Sequence, residues 1–135
     1  MNTLYLKTST EDMTTPYIRK IVSETVKWCE ENLGVKKHRH GTFKFRVLTL
    51  GDKHTPAYGM YDFETNTLYV FRNYTYTVKD IIRAVIHEYT HYLQNLRWYV
   101  NVLNKVGYYK HPLEIEARAM ESFYSVCWKE IKTEI

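Results

Sequence analysis

A chain of 135 residues is expected to form one domain, 1–135, with a substantial core and little room for a second. A hydrophobic content of 44% is ordinary for a globular protein, whereas 13 Tyr, 5 Phe and 3 Trp ask for an extensive aromatic interior or surface. The net charge of +4 comes mostly from scattered Lys and Arg, which argues against a dedicated nucleic-acid surface, and no apolar run reaches the roughly 20 residues that span a bilayer.

The first residues, Met1 to Lys7, lack a basic stretch followed by an apolar core, so no secretory leader and a cytoplasmic location are expected. A helix is predicted from Pro16 to Leu33, with Thr14 or Thr15 as cap, Pro16 at the first helical position and Gly34 as the stop. Ile18, Ile21, Val22, Thr25, Cys29 and Leu33 would form its buried stripe. The one dense basic run, Lys36-Lys37-His38-Arg39-His40, reads as a solvated loop after this helix. Cys29 and Cys127 are far apart, lack CxxC spacing and fall on apolar helix faces, which predicts two buried free thiols.

Thr42 to Leu50 alternates as a strand, with Phe43, Phe45 and Val47 on one face, and Gly51-Asp52-Lys53 turns the chain. Ala57 to Phe63 and Thr67 to Arg72, joined by Glu64-Thr65-Asn66, read as a hairpin. Its first strand can lie on an open sheet edge and pair its backbone with an extended peptide, which makes Tyr58, Gly59 and Met60 candidate substrate-binding residues. Gly59 would admit another backbone at close range, or else mark a bulge in an ordinary hairpin.

The most informative stretch runs from Thr77 to Trp98. Thr77 and Asp80 have capping-box spacing, and Val78, Ile81, Ile82, Val85, Ile86, Tyr89 and Leu93 recur at helical intervals. With no Pro or Gly before Gly107, the helix could run well past His91. At its centre stands His87-Glu88-Tyr89-Thr90-His91. With 6 His and 11 Glu in the chain, a shuffled sequence would contain HExxH roughly 0.02 times.

The spacing puts both imidazoles on one helix face, where they can reach a single ion. Imidazole suits Zn²⁺, and a catalytic zinc keeps three protein ligands and an open position. Glu88 would then face a zinc-activated water as general base. The third ligand should come from beyond the helix, where His111-Pro112-Leu113-Glu114-Ile115-Glu116-Ala117 offers His111, Glu114 and Glu116. Pro112 opens a last helix with the apolar stripe Leu113, Ala117, Met120, Tyr124, Cys127 and Ile131. On a helical wheel Glu116 lies nearer that stripe than Glu114, and an inward carboxylate wants a cation, so geometry leans to Glu116. Gln94 or Asn95 could orient a ligand imidazole through its second nitrogen.

These residues carry a resemblance. HExxH followed some twenty residues later by Glu114-Ile115-Glu116-Ala117 resembles the gluzincin branch of the zincin metallopeptidases, in particular the small single-domain minigluzincins, over Ala57 to Glu121, about half the chain. The resemblance implies an α+β, zincin-like single domain: an N-terminal helix, a small mostly antiparallel sheet, the HExxH helix and a C-terminal glutamate helix. It implies a zinc endopeptidase with one Zn²⁺ on His87, His91 and Glu114: Glu114 and Glu116 both have Ala three residues on, but in related members with a Glu-x-Glu-Ala string the first Glu ligates, which leaves Glu116 and His111 as alternates. It places Tyr108 or Tyr109, or Tyr99, as a donor to the oxyanion. The metzincin variant is excluded because Gln94 and Arg97 stand where it needs Gly and His. A SprT-like, DNA-associated protease would use His111. The rival of another class is a zincin-fold binding or regulatory protein that turns over nothing, or is self-inhibited by its ends covering the cleft. The expected partner is a peptide or protein substrate met by a monomer, with neither nucleic acid nor membrane involved.

Overall fold

The computed structural model describes residues 4–36 and 41–135. Of the basic run only Lys36 falls within them; Lys37, His38, Arg39 and His40 lie outside the described residues.

Helix α1, Thr15–Leu33, starts where Thr14 accepts a hydrogen bond from the Tyr17 N–H and stops at Gly34, whose φ of 91° a side chain would resist. It buries Ile18, Ile21, Val22, Thr25, Val26, Trp28 and Cys29. The strands are β1, Lys44–Leu48, β2, Gly59–Asp62, and β3, Thr67–Phe71. The turn between β2 and β3 is held by Asp62, whose carboxylate accepts from the Glu64 N–H and the Thr65 hydroxyl, and by Asn66 at a φ of 52°.

The sheet corrects the expected mostly antiparallel arrangement, because its order is β1-β3-β2 and β1 runs parallel to β3 while β2 is antiparallel to it. The hairpin thus inserts its second strand, rich in β-branched and aromatic residues, as the central one. Four of its five residues are buried, and β2 is left at an edge.

Helix α2, Val78–Leu93, carries HExxH. Its capping box is present, with the Asp80 N–H donating to the Thr77 hydroxyl and Asp80 accepting from the Thr77 N–H. The N-terminal arm completes the cap: the Val78 and Lys79 N–H groups donate to the carbonyls of Thr8 and Leu6. The helix packs on α1, β2 and β3.

It is shorter than the sequence suggests. Gln94 turns extended, with its carbonyl held by the Lys36 ammonium at 2.8 Å, and a separate helix α3, Tyr99–Val106, follows. No residue of α3 is buried. Helix α4, Pro112–Met120, then a 3₁₀ turn, Glu121–Phe123, and α5, Tyr124–Ile131, close the fold against α2. Both thiols are fully buried in one apolar cluster with Ile18, Ile21, Ile82 and Ile86, and burial pushes both thiol pKa values up. The result is a small α+β fold with a three-stranded mixed sheet. Among the described residues no helix is long and apolar enough to cross a membrane.

Candidate metal centre

His87 and His91 lie one helical turn apart on the face of α2 that α4 covers, and both are buried. Their Nδ1 atoms face partners that dictate how the rings point. His91 Nδ1 lies 2.7 Å from Gln94 Oε1, and His87 Nδ1 lies 2.8 Å from Glu121 Oε2. An Nδ1–H donating to each acceptor leaves both Nε2 atoms aimed at a common point.

That point is filled by one oxygen. Glu114 Oε1 lies 3.0 Å from His87 Nε2 and 3.0 Å from His91 Nε2, while Tyr99 donates its hydroxyl to Glu114 Oε2. An oxygen this close to both Nε2 atoms puts two nitrogens and a carboxylate within reach of one another, a donor set that a single metal ion could share. His87, Glu88 and His91 also each offer a ligand atom within 4.8 Å of the others, a buried group that could hold a metal ion. Of the two carboxylates, Glu114 faces both imidazole Nε2 atoms. Glu88, buried too, accepts no hydrogen bond among the described residues.

The alternates are occupied elsewhere. His111 caps α4: its Nδ1 accepts from the Leu113 N–H and its Nε2–H donates to the Tyr99 carbonyl, so neither nitrogen is left for a metal. Glu116, favoured by the helical wheel, is exposed, and its carboxylate accepts from Gln94 Nε2 at 2.9 Å. It therefore steadies the amide that holds His91. Asn95 is exposed, and among the described residues its side chain accepts only the Arg97 N–H.

Glu121 was not anticipated from the sequence. It is braced by Arg83, whose guanidinium lies 2.8 Å from Glu121 Oε1, and the 3₁₀ turn aims it at His87. The available signal was spacing: Arg83 stands one turn before His87 and Glu121 two turns after Glu114.

A carboxylate oxygen facing two nitrogens without a metal must be met by protons. Burial works against charge on His87, but hydrogen bonds from Glu114 and Glu121 outweigh it and push its pKa up to about 10. For His91, burial is likewise outweighed by Glu114. Glu114 is held well below the usual carboxylate range: both imidazoles and Tyr99 override the effect of burial. Burial drives Glu88 the other way, upward, with the imidazoles opposing.

A pH dependence follows for the metal-free chain. The His87 contribution is complete below its ordinary value of 6.5 and is lost as pH rises from there to about 10. The melting temperature in chelator should therefore fall across that window, whereas with metal in place of the protons the fall should vanish. Thermal unfolding at stepped pH, with and without metal, measures it; parallel curves would contradict the protonated cluster.

Comparison with protein-family models, curated proteins and solved structures finds no match. What the site can do is read from its own surroundings. On one side lies the edge of the sheet. A Cβ on Gly59 would sit 2.5 Å from the Tyr69 carbonyl oxygen and 3.3 Å from Glu88 Cγ. The packing of β3 and Glu88 thus by itself requires a glycine at position 59. Gly59→Ala should cost about 1–3 kcal/mol in chemical denaturation, because a backbone oxygen cannot yield as a side chain can; an unchanged midpoint would contradict this packing.

The Phe71 N–H donates to the Tyr58 carbonyl, so Tyr58 and Met60 form the hydrogen-bonded pairs of the β2–β3 ladder, and the N–H and C=O of Gly59 point off the sheet edge beside Glu88. Tyr58 and Met60 are exposed on the opposite sheet face from the one Gly59 turns to Glu88, so their side chains point away from the imidazoles.

On the other side stand tyrosines. Burial, with the Glu114 and Glu88 carboxylates, pushes the Tyr108 hydroxyl up to about 12 and keeps it a donor at neutral pH. Tyr109 is 80% exposed and contacts Tyr108 and Arg118. The described part of the N-terminal arm lies at the far end of α2 from the cluster. From Leu6 to Thr8 the arm is bound at the first turn of α2, about 13 Å of helix from His87.

Proposed function

We propose that this chain is a zinc-dependent endopeptidase of gluzincin type, with His87, His91 and Glu114 as metal ligands and Glu88 as general base. The observation that carries the reading is Glu114 Oε1 at 3.0 Å from both Nε2 atoms, beside a Glu88 carboxylate that accepts no hydrogen bond among the described residues. Two nitrogens and one carboxylate oxygen, with outward Nδ1 atoms tied to an amide and a carboxylate, are a donor set suited to zinc. When bound, zinc supplies Lewis acidity that polarises a carbonyl and lowers the pKa of a water.

The side chains and backbone supply the rest. Glu88 takes the proton of the attacking water and passes it to the departing amine. The outward N–H and C=O of Gly59 pair with an extended polypeptide, giving affinity through the main chain whatever the sequence. Tyr108 donates to the oxyanion of the tetrahedral intermediate. The partner is therefore an unfolded or extended protein segment.

The test is hydrolysis of unfolded casein by zinc-loaded protein, with and without chelator, alongside metal analysis of the purified chain. Chelator-sensitive cleavage supports the peptidase. Bound zinc without turnover would favour the binding or regulatory protein, and no bound metal would sink both.

A further inference from the structure

We propose that Tyr99 is a positioning residue that restricts Glu114 to one-oxygen coordination, leaving a free coordination position on the side of Glu88. The proposal rests on the metal centre above and extends it to how many ligand atoms the chain presents.

The two oxygens of Glu114 have separate neighbours. Oε1 faces the two imidazole Nε2 atoms, and Oε2 accepts the Tyr99 hydroxyl. For the carboxylate to grip an ion with both oxygens, Oε2 would have to turn from that donor toward the imidazoles. Tyr99 itself cannot follow. Its ring lies on His111, with centroids 4.2 Å apart and planes 25° apart, and its edge meets His91 at 6.1 Å. The His111 Nε2–H donates to the Tyr99 carbonyl at 3.0 Å, and His111 is fixed in turn as the cap of α4.

This explains why a histidine stands so close to the site without serving as a ligand. It is 1% exposed and both of its nitrogens are occupied in fixing Tyr99 and the start of the helix that carries Glu114. It also explains how α3, which buries none of its own residues, is attached to the site: Tyr99, its first residue, bonds to Glu114 and His111. A second carboxylate oxygen on the ion would take the position that a peptidase needs for water. An amide or hydroxyl donor holding the spare oxygen of a ligand carboxylate keeps that position open.

Tyr99→Phe removes the hydroxyl and keeps the ring on His111, so it tests the donor alone. Wild-type and variant full-length protein would be stripped of metal and titrated with Co²⁺, reading the visible absorption, and with Zn²⁺ against a chromophoric chelator. The expected result is a weaker and displaced cobalt band in the variant, as four-coordinate cobalt gains a fifth ligand atom, with zinc affinity falling by about 10- to 100-fold. A cobalt spectrum superimposable on that of the wild type overturns the proposal, whatever the affinity. Loss of the folded far-ultraviolet dichroism in the variant would also overturn it, by making the hydroxyl a requirement of the fold. Failure of the wild type to take up cobalt or zinc overturns the metal centre itself, a result distinct from failure of the Tyr99 variant alone.

Discussion

Glu114→Ala should leave the purified chain without metal, whereas Glu116→Ala should keep its ion and bind it about tenfold more weakly, as loss of an outer hydrogen bond would. The two residues are neighbours in sequence but differ in role: Glu114 Oε1 faces both Nε2 atoms, and Glu116 reaches only the Gln94 amide. Metal content after dialysis separates them. Glu114→Ala has a second consequence in chelator, because it takes from the two Nε2 atoms the carboxylate oxygen that had drawn both imidazoles toward the charged form, leaving only His87 with a carboxylate partner, Glu121 at its Nδ1. They can shed protons, which limits the loss to roughly 2–3 kcal/mol, or about 5–10 °C in melting temperature. Equal zinc retention in the two variants would remove Glu114 from the ligand set.

Glu88→Gln should do the converse, holding the ion at near wild-type affinity while peptide hydrolysis falls by about 10²–10⁴-fold, the usual contribution of a positioned general base. The side chain accepts no hydrogen bond among the described residues and lies against Gly59, so an isosteric amide fits without disturbing the imidazoles. Casein cleavage by metal-matched samples decides it. A variant that cleaves as fast as wild type would make Glu88 a bystander, and one that loses its metal would make it a ligand.

Local chemistry was legible in the sequence wherever partners are close along the chain. Thr77 with Asp80, Thr14 with Pro16, and Gly34 each mark a helix boundary that the structure places within a residue or two. The distant features were not. Nothing in Lys44–Leu48 says that it pairs in parallel with β3, since its alternation fits either direction. Leu93 ends α2 without a Gly or Pro because Gln94 is held by His91, Leu113, Glu116 and Lys36, all contacts made by folding.

The helical wheel misplaced the inward carboxylate for a related reason. It took the centre of α4's buried face from Leu113, which is only half-buried, whereas the helix buries Glu114 and Ala117. A polar centre imitates a core on its own side of the helix, so counting apolar residues points beside it. Glu121 escaped notice because it lies just past the end of α4, although two turns on from Glu114 it keeps to the same side and meets His87.

Twelve of the sixteen residues of α2 are buried, leaving only Lys79, Asp80, Arg83 and Leu93 nearer the surface. Mutational freedom along this segment is therefore small for reasons of volume alone. In a lineage descended from this chain, Ile86 and Thr90 would stay as constant as His87 and His91, and invariance by itself would not tell the framework of the helix from its chemistry.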